Sequence, residues 1–213
     1  MTDIGLGTEE DLANRNRIKN EKIQSKTLSS RRISCMRKNR ELLEGAEYHV
    51  TARINRGEKI FLIRENRELF MMILKRAKKK YDFQIKNFCI MGNHIHLLIK
   101  PGAGTSLSKI MQWLLGVFAQ LWNKRHGMSG HLWGDRFFSR IILGILDFIR
   151  VFLYIDYNPV FAGMVKKPEQ WKYGGLWHHK RGLTGITSLP DPSLREYFPE
   201  HQASSDNHEI TEI

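Results

Sequence analysis

Two histidines stand one residue apart in the apolar stretch "CIMGNHIHLLIK", residues 89–100. In a β-strand alternate side chains share a face, so His94 and His96 would point to one side while Ile95 and Leu97 point to the other. Two imidazoles at this spacing can converge on one metal ion. A structural interpretation stays open, because histidines with satisfied hydrogen bonds are common. The pair therefore marks a candidate metal site that needs a second feature.

A tyrosine and an asparagine four residues apart, Tyr154 and Asn158, supply that second feature. Residues at this spacing lie on one side of a helix, here at the edge of its apolar stripe. The stripe consists of Phe148, Val151, Phe152 and Ile155. A helix packed on the histidine-bearing sheet could hold a phenol and an amide oxygen beside the imidazoles. Taken alone, the tyrosine is also typical of a core residue, and the asparagine before Pro159 is typical of a helix stop.

Four strands are predicted from β-branched, aromatic and alternating apolar patterns. They cover residues 47–54, 83–90, 94–100 and 134–143. The turn at residues 91–93, Met-Gly-Asn, predicts a hairpin between the second and third strands. The histidine pair therefore lies on the second arm of a predicted hairpin.

Three helices are predicted between and after these strands. The first begins with Asn66 as its N-cap and runs to residue 81, the second covers residues 105–127 and ends at Gly127, and the third runs from Asp147 to a stop at Pro159. One face of the first helix carries Leu69, Met72, Ile73, Ala77 and Tyr81. The order of elements predicts an α+β domain with a mostly antiparallel sheet packed with helices, and a ferredoxin-like arrangement fits it.

The chain of 213 residues carries a formal net charge of +12, which favours a polyanionic partner such as nucleic acid. Residues 12–40 hold ten Lys or Arg against the single acid Glu21, so residues 1–44 are predicted to form a basic extension that contacts phosphates. Residues 181–213 end in an acidic, polar segment and are predicted to be a partly disordered extension. The domain that carries the chemistry is expected at residues 45–180.

Apolar runs of 18 or more residues are absent from the sequence, and its start lacks the pattern of a secretory signal. We therefore expect a soluble cytoplasmic protein with no membrane partner. The two cysteines, Cys35 and Cys89, form neither a disulfide framework nor a paired metal site. They are most simply reduced thiols.

Four segments together resemble one known family, the REP-associated tyrosine transposases. The segments are "GNHIHLLIKP", "GHLWGDRFFSRII", "YIDYNPVFAGMV" and "PEQWKYGG", in that order. This family is similar to the IS200-like transposases within the HUH single-tyrosine superfamily. The resemblance begins near residue 48 and extends to about residue 180, so both tails lie outside it.

The resemblance implies the HUH transposase fold and a metal-dependent cleavage of single-stranded DNA at hairpin-forming, REP-like palindromic sites. His94 and His96 would be the metal pair, Asn158 a further ligand and Tyr154 the nucleophile that forms a 5′-phosphotyrosine link. Tyr157 is the competing nucleophile, and the spacing to Asn158 favours Tyr154. The cofactor would be Mg²⁺ or Mn²⁺, and mixed nitrogen and oxygen ligands suit Mn²⁺ better. Rejoining would need no ATP, because the phosphotyrosine keeps the energy of the broken phosphodiester.

The matched segments also contain candidate contacts to the DNA. These are Arg53, Arg56, Arg136 and Arg140. Trp133 and Phe137 could stack on bases, but their position near a core strand favours a structural role. Asp156 stands where relatives more commonly carry a neutral or basic residue; its carboxylate could assist the metal or face solvent, and we expect it to face solvent.

Two other functions stay open at this point. A domesticated, non-catalytic protein that binds single-stranded DNA or RNA hairpins would use the histidines only structurally. A metal-dependent phosphodiesterase that activates water would leave Tyr154 without a role. Both a monomer and a homodimer are compatible with the sequence.

Overall fold

The computed structural model describes residue 43, residues 45–188 and residues 192–198. The predicted basic extension, apart from residue 43, lies outside the described residues, as do Cys35 and the acidic segment after residue 198. In the described part of the chain, no helix is both long enough and apolar enough to cross a membrane.

Four strands form one sheet in the order β2-β3-β1-β4, and every neighbouring pair is antiparallel. The strands are β1 (Tyr48–Arg53), β2 (Phe83–Ile90), β3 (His94–Pro101) and β4 (Phe138–Ile141). The predicted β2–β3 hairpin is present, and β4 is shorter than predicted. The first two helices connect β1 to β2 and β3 to β4, which is the ferredoxin-like arrangement that the element order predicted.

Helices cover the sheet and complete the domain. They are α1 (Arg64–Lys80), α2 (Leu107–His126), α3 (Ile145–Phe161) and the short α4 (Gly175–His179). Gly127 ends α2 with a left-handed backbone, φ 62°, as its sequence position predicts. Phe61 packs edge-on against Phe70 of α1 and stacks on Phe118 of α2, which joins these two helices through an aromatic core.

Three sequence predictions about the helices were wrong. Helix α1 begins at Arg64, and Asn66 lies buried in its first turn, where its Nδ2 donates to the Ile60 carbonyl at 2.8 Å. Met72 is 44% exposed, so it lies outside the buried face of α1. Helix α3 continues through Pro159 to Phe161. A proline so close to the end of a helix removes one backbone donor and leaves the next turn intact, as the bond from Ala162 N to the Asn158 carbonyl (3.0 Å) shows.

A β-bulge in β2 decides which of its side chains face which side of the sheet. Ile85 pairs with Ile99 of β3, but Asn87 pairs with Leu98, so Lys86 is an extra residue in this strand. Regular alternation would put Ile85 and Asn87 on the same face. The bulge instead turns Asn87 and Cys89 to the face that carries His96, where α3 packs.

The outer edge of β2 is covered by the segment that follows α3. Ile90 N donates to the Tyr173 carbonyl (2.9 Å), and Ser188 N donates to the Ile85 carbonyl (3.0 Å). Further along, Phe198 is 2% exposed and packs on Phe152 of α3 with ring centroids 4.3 Å apart. The packed part of the chain therefore extends beyond residue 180.

Candidate active site

The histidine pair lies on an inner strand of the sheet, because β3 is flanked by β2 on one side and by β1 and β4 on the other. Antiparallel pairing sets Thr51 opposite His96 and Arg53 opposite His94. The two imidazole centroids are 4.9 Å apart, with their planes at 84°. The structure thus brings His94 and His96 together on one face, as the strand alternation predicts.

His96 is held through its Nδ1 atom. That nitrogen lies 3.0 Å from Nε2 of His49 and 3.3 Å from Oγ1 of Thr51, both on β1. The opposite nitrogen, Nε2, is buried and has no hydrogen-bond partner among the described residues. A buried imidazole nitrogen without a partner is costly unless it binds something, so Nε2 is available as a metal ligand.

His94 is oriented in the same way by the turn before β3. Its Nδ1 lies 2.7 Å from Oδ1 of Asn93, which can only accept, so Nδ1 carries the proton. Asn93 is in turn held by the bond from its Nδ2 to the Gly57 carbonyl at 3.2 Å. The lone pair of His94 therefore lies on Nε2, which is the tautomer that a metal-binding histidine needs.

Burial keeps these imidazoles neutral. It lowers the pKa of His96 to about 3, and the neighbouring His94, His49 and Arg53 act in the same direction. Burial, followed by the charge of Arg140, lowers the pKa of His49 to about 4. The pKa of His94 is also lowered, mainly by burial and then by Arg53. At neutral pH all three rings can offer a lone pair, as coordination requires.

Tyr154 reaches this site from helix α3 of the same chain. Its ring stands at 87° to the His96 ring with centroids 5.5 Å apart, and it lies 6.0 Å from the His49 ring. It is 46% exposed, so the phenol is open to an incoming substrate. Tyr157 packs against Phe161 instead, with ring centroids 6.1 Å apart.

Asn158 lies one turn after Tyr154, and its Nδ2 donates to the Tyr154 carbonyl at 3.3 Å. In the described part of the chain, no group of three or more His, Cys, Asp or Glu side chains is placed to hold a metal ion. The donors that the structure brings together are the two imidazoles, and Asn158 follows the Tyr154 that faces them by one helical turn. Such a set suits an ion that keeps open positions for water or phosphate.

The four arginines named from the sequence have different surroundings. Arg53 is exposed and lies opposite His94, close enough to influence the pKa of both histidines. Arg56 and Arg136 are exposed, and Arg56 has a left-handed backbone, φ 53°. Arg140 is engaged by Asp147, with three nitrogen–oxygen distances of 2.8–3.0 Å. The structure thus puts Arg53 opposite His94 and Arg140 opposite His49, and it holds Arg140 in an ion pair with Asp147.

Two residues of uncertain role in the sequence have clear places in the structure. Trp133 packs among Phe61, Phe70 and Phe118 and donates Nε1–H to the Leu115 carbonyl (2.9 Å), and Phe137 is buried, so both are structural, as expected. The prediction that Asp156 faces solvent was wrong. Asp156 is 6% exposed and accepts a hydrogen bond from Asn87 Nδ2 at 2.9 Å, because it lies on the side of α3 that packs on β2.

His49 and Thr51 are the site residues that sequence reasoning missed. The signal was present in "YHVTAR", where alternation puts His49, Thr51 and Arg53 on one face of β1. Only the pairing of β1 with β3 reveals that this face is the one that carries His96.

Comparisons with known proteins show the family and the fold of this chain. A family model described as "Transposase IS200 like" matches residues 42–158. A REP-associated tyrosine transposase of Haemophilus influenzae is 26% identical over 147 residues, which cover 64% of this chain and 83% of that protein. Among solved structures, that of a REP-associated tyrosine transposase bound to a REP hairpin has a TM-score of 0.58 at 21% identity. The match covers 82% of this chain and 98% of that one, and it shows a shared fold.

Proposed function

The chain belongs to the IS200-like transposase family, and we propose that it cleaves and rejoins single-stranded DNA at hairpin-forming, REP-like palindromic sites. This membership agrees with the resemblance that the sequence motifs predicted. The observation that carries the proposal is the Tyr154 ring, half-exposed and 5.5 Å from the ring of His96. The structural neighbour is bound to a REP hairpin, and the net charge of +12 on this chain suits the same class of partner.

The reaction begins at the hydroxyl of Tyr154. Its oxygen forms a bond to the scissile phosphorus as the bond from phosphorus to the 3′-oxygen breaks. The phenol loses its proton and the 3′-oxygen gains one, while the 5′-phosphate stays on the tyrosine. Attack by a 3′-hydroxyl on this phosphotyrosine reverses the step and rejoins DNA without ATP.

A protonated phenol is a weak nucleophile, so the target phosphate has to be polarised. Mg²⁺ or Mn²⁺ held by His94, His96 and Asn158 would supply that polarisation when bound. The fit rests on the two Nε2 atoms, which the hydrogen bonds at Nδ1 leave available. Arg53, exposed beside His94, is suited to hold a backbone phosphate in place.

A covalent-trapping assay tests the proposal. The protein is incubated with single-stranded hairpin oligonucleotides labelled at the 3′ end and with Mn²⁺, and the products are separated on a denaturing gel. We expect label on the wild-type protein and none on Tyr154→Phe. Tyr157→Phe is the matched control, three residues away on the same helix, and should keep the adduct. His96→Ala should lose cleavage more than hairpin affinity.

Each alternative function has its own outcome in this assay. Free cleaved DNA from Tyr154→Phe would favour a phosphodiesterase that uses water. Hairpin binding with no cleavage by the wild type on any hairpin would favour a non-catalytic DNA- or RNA-binding protein. Formation of the adduct with Mg²⁺ in place of Mn²⁺ would show that Mg²⁺ suffices for cleavage.

A further inference from the structure

Asn87 is a fully buried amide that connects strand β2 to helix α3. Its Nδ2 donates to the Phe152 carbonyl at 3.0 Å and to Oδ1 of Asp156 at 2.9 Å. Its Oδ1 accepts from Phe88 N at 2.8 Å, which fixes the amide on its own strand. The side chain is 0% exposed, and that of Asp156 is 6% exposed. This is a directional polar contact at the interface between β2 and α3.

The contact depends on the β-bulge at Lys86. Without the extra residue, alternation from Ile85 would turn Asn87 to the opposite face of the sheet, away from α3. Bulges commonly redirect a side chain near a functional site. Gly175 of α4 adds a second constraint, because a Cβ at this position would collide with Oδ1 of Asn87. The fold therefore reserves space for the amide from two sides.

The two acceptors on α3 bracket Tyr154 along the helix. Phe152 precedes the tyrosine by two residues and Asp156 follows it by two, so both lie on the side of the helix away from the phenol. Apolar packing alone would hold α3 on the sheet but tolerate small rotations and shifts. Hydrogen bonds to a carbonyl and a side chain one turn apart oppose both movements, because they are directional and lose strength when bent.

We propose that Asn87 and Asp156 form a positioning clamp that sets helix α3 on its own sheet and thereby sets Tyr154 against His96. The proposal rests on the proposed function of Tyr154 as the nucleophile. Neither clamp residue touches the reacting atoms, so both are positioning residues. Buried polar pairs can often be replaced by well-packed apolar residues without loss of stability, so the role proposed for this pair is in geometry.

A reciprocal exchange of the two side chains tests the clamp. Asn87→Asp removes the Nδ2 donor and brings two carboxyl groups together, so it should slow formation of the Tyr154 adduct by about 10- to 100-fold, as expected for a displacement of about 1 Å. Hairpin affinity should stay within about twofold, since the histidines and arginines are unchanged. The double variant N87D/D156N restores a donor opposite an acceptor between positions 87 and 156 but leaves the Phe152 carbonyl without its donor, so it should recover part of the rate.

A matched control separates positioning from loss of stability. Asn66 is another buried asparagine, on helix α1, whose Nδ2 donates to a backbone carbonyl. Asn66→Asp should lower the melting temperature while leaving the adduct rate of the folded protein unchanged. If Asn66→Asp slows the reaction as much as Asn87→Asp does, the clamp has no special role.

A spectroscopic reading keeps the test independent of catalysis. A single 3-fluorotyrosine at position 154 should give one ¹⁹F resonance in the wild type, a shifted or broadened one in Asn87→Asp, and one that moves back towards the wild-type position in N87D/D156N. An unchanged resonance in Asn87→Asp, or no recovery in the double variant, would overturn the clamp. If the wild type forms no adduct, the proposed function fails while the resonance still decides the clamp.

Discussion

Replacing His49 with phenylalanine should weaken metal binding without touching a ligand. His49 Nε2 lies 3.0 Å from Nδ1 of His96, and this contact holds the His96 ring through Nδ1, while Nε2 has no hydrogen-bond partner among the described residues. Partners of this kind raise the basicity of a metal-binding imidazole and fix its tautomer. Phenylalanine keeps a ring beside Tyr154 but removes both nitrogens.

The magnitude follows from the two contacts at Nδ1. Loss of such a partner typically costs about 10- to 100-fold in metal affinity, or about 1.4 to 2.7 kcal/mol. Thr51 Oγ1, at 3.3 Å, would still hold the ring in His49→Phe, so we expect about 10-fold. The double variant H49F/T51V removes both contacts and should approach 100-fold.

Titration of the protein with Mn²⁺, followed by electron paramagnetic resonance of the free ion, measures this affinity directly. Both variants should also need a higher Mn²⁺ concentration to form the adduct at half the maximal rate. The maximal rate should be recovered at saturating Mn²⁺. His178→Phe is the matched control, because His178 is likewise buried and its pKa is likewise lowered to about 4 but it lies on α4. Unchanged Mn²⁺ affinity in both His49 variants would refute the assignment of His96 Nε2 as a ligand oriented through Nδ1.

Three further predictions concern the packing around the site. Phe198→Ala should lower the free energy of unfolding by about 3–5 kcal/mol in urea, because the ring is buried against Phe152, whereas Tyr197→Ala at a half-exposed position should cost under about 0.5 kcal/mol. Equal effects would mean that Phe198 is not part of the core. Burial lowers the pKa of His178 to about 4, so the unfolded chain binds a proton between about pH 6.5 and 4 that the folded chain does not. The stability that this neutral ring contributes is present above pH 6.5 and is lost as the pH falls towards 4. Urea midpoints at pH 7, 5.5 and 4.5 should fall more steeply for wild type than for His178→Gln, and parallel curves would contradict the prediction. Burial raises the pKa of the Cys89 thiol, so native Cys35→Ser protein should resist a thiol reagent at pH 8 and react only on unfolding; fast native reaction would mean that Cys89 is accessible.

Local patterns predicted the elements well and their ends less well. The alternation in "YHVTARI" and the stripe of Phe148, Val151, Phe152 and Ile155 correctly predicted strand β1 and helix α3, because burial of one face imposes these periods. Asn66 and Pro159 predicted helix ends that the structure does not have. Tertiary contacts override end signals, since Asn66 bonds to a carbonyl outside its helix and Pro159 is buried within α3.

The spacing between His94 and His96, and that between Tyr154 and Asn158, predicted the candidate residues of the site. Residues two apart on a strand, or four apart on a helix, share a face because of local backbone geometry. The residues that share a face can therefore be predicted before the tertiary fold is known. The family resemblance added the expectation that the strand and the helix meet, and the 5.5 Å contact between His96 and Tyr154 agrees with it.

Only the tertiary structure decided what surrounds those four residues. His49 reaches His96 because β1 pairs with β3 in one register, and Asn87 reaches Asp156 because one extra residue in β2 reverses its alternation. Strand register and bulges are set by pairing between distant segments, which no local period encodes. The amino-acid sequence by itself determined which side chains could do the chemistry, and the packing of the sheet against α3 determined how they are held.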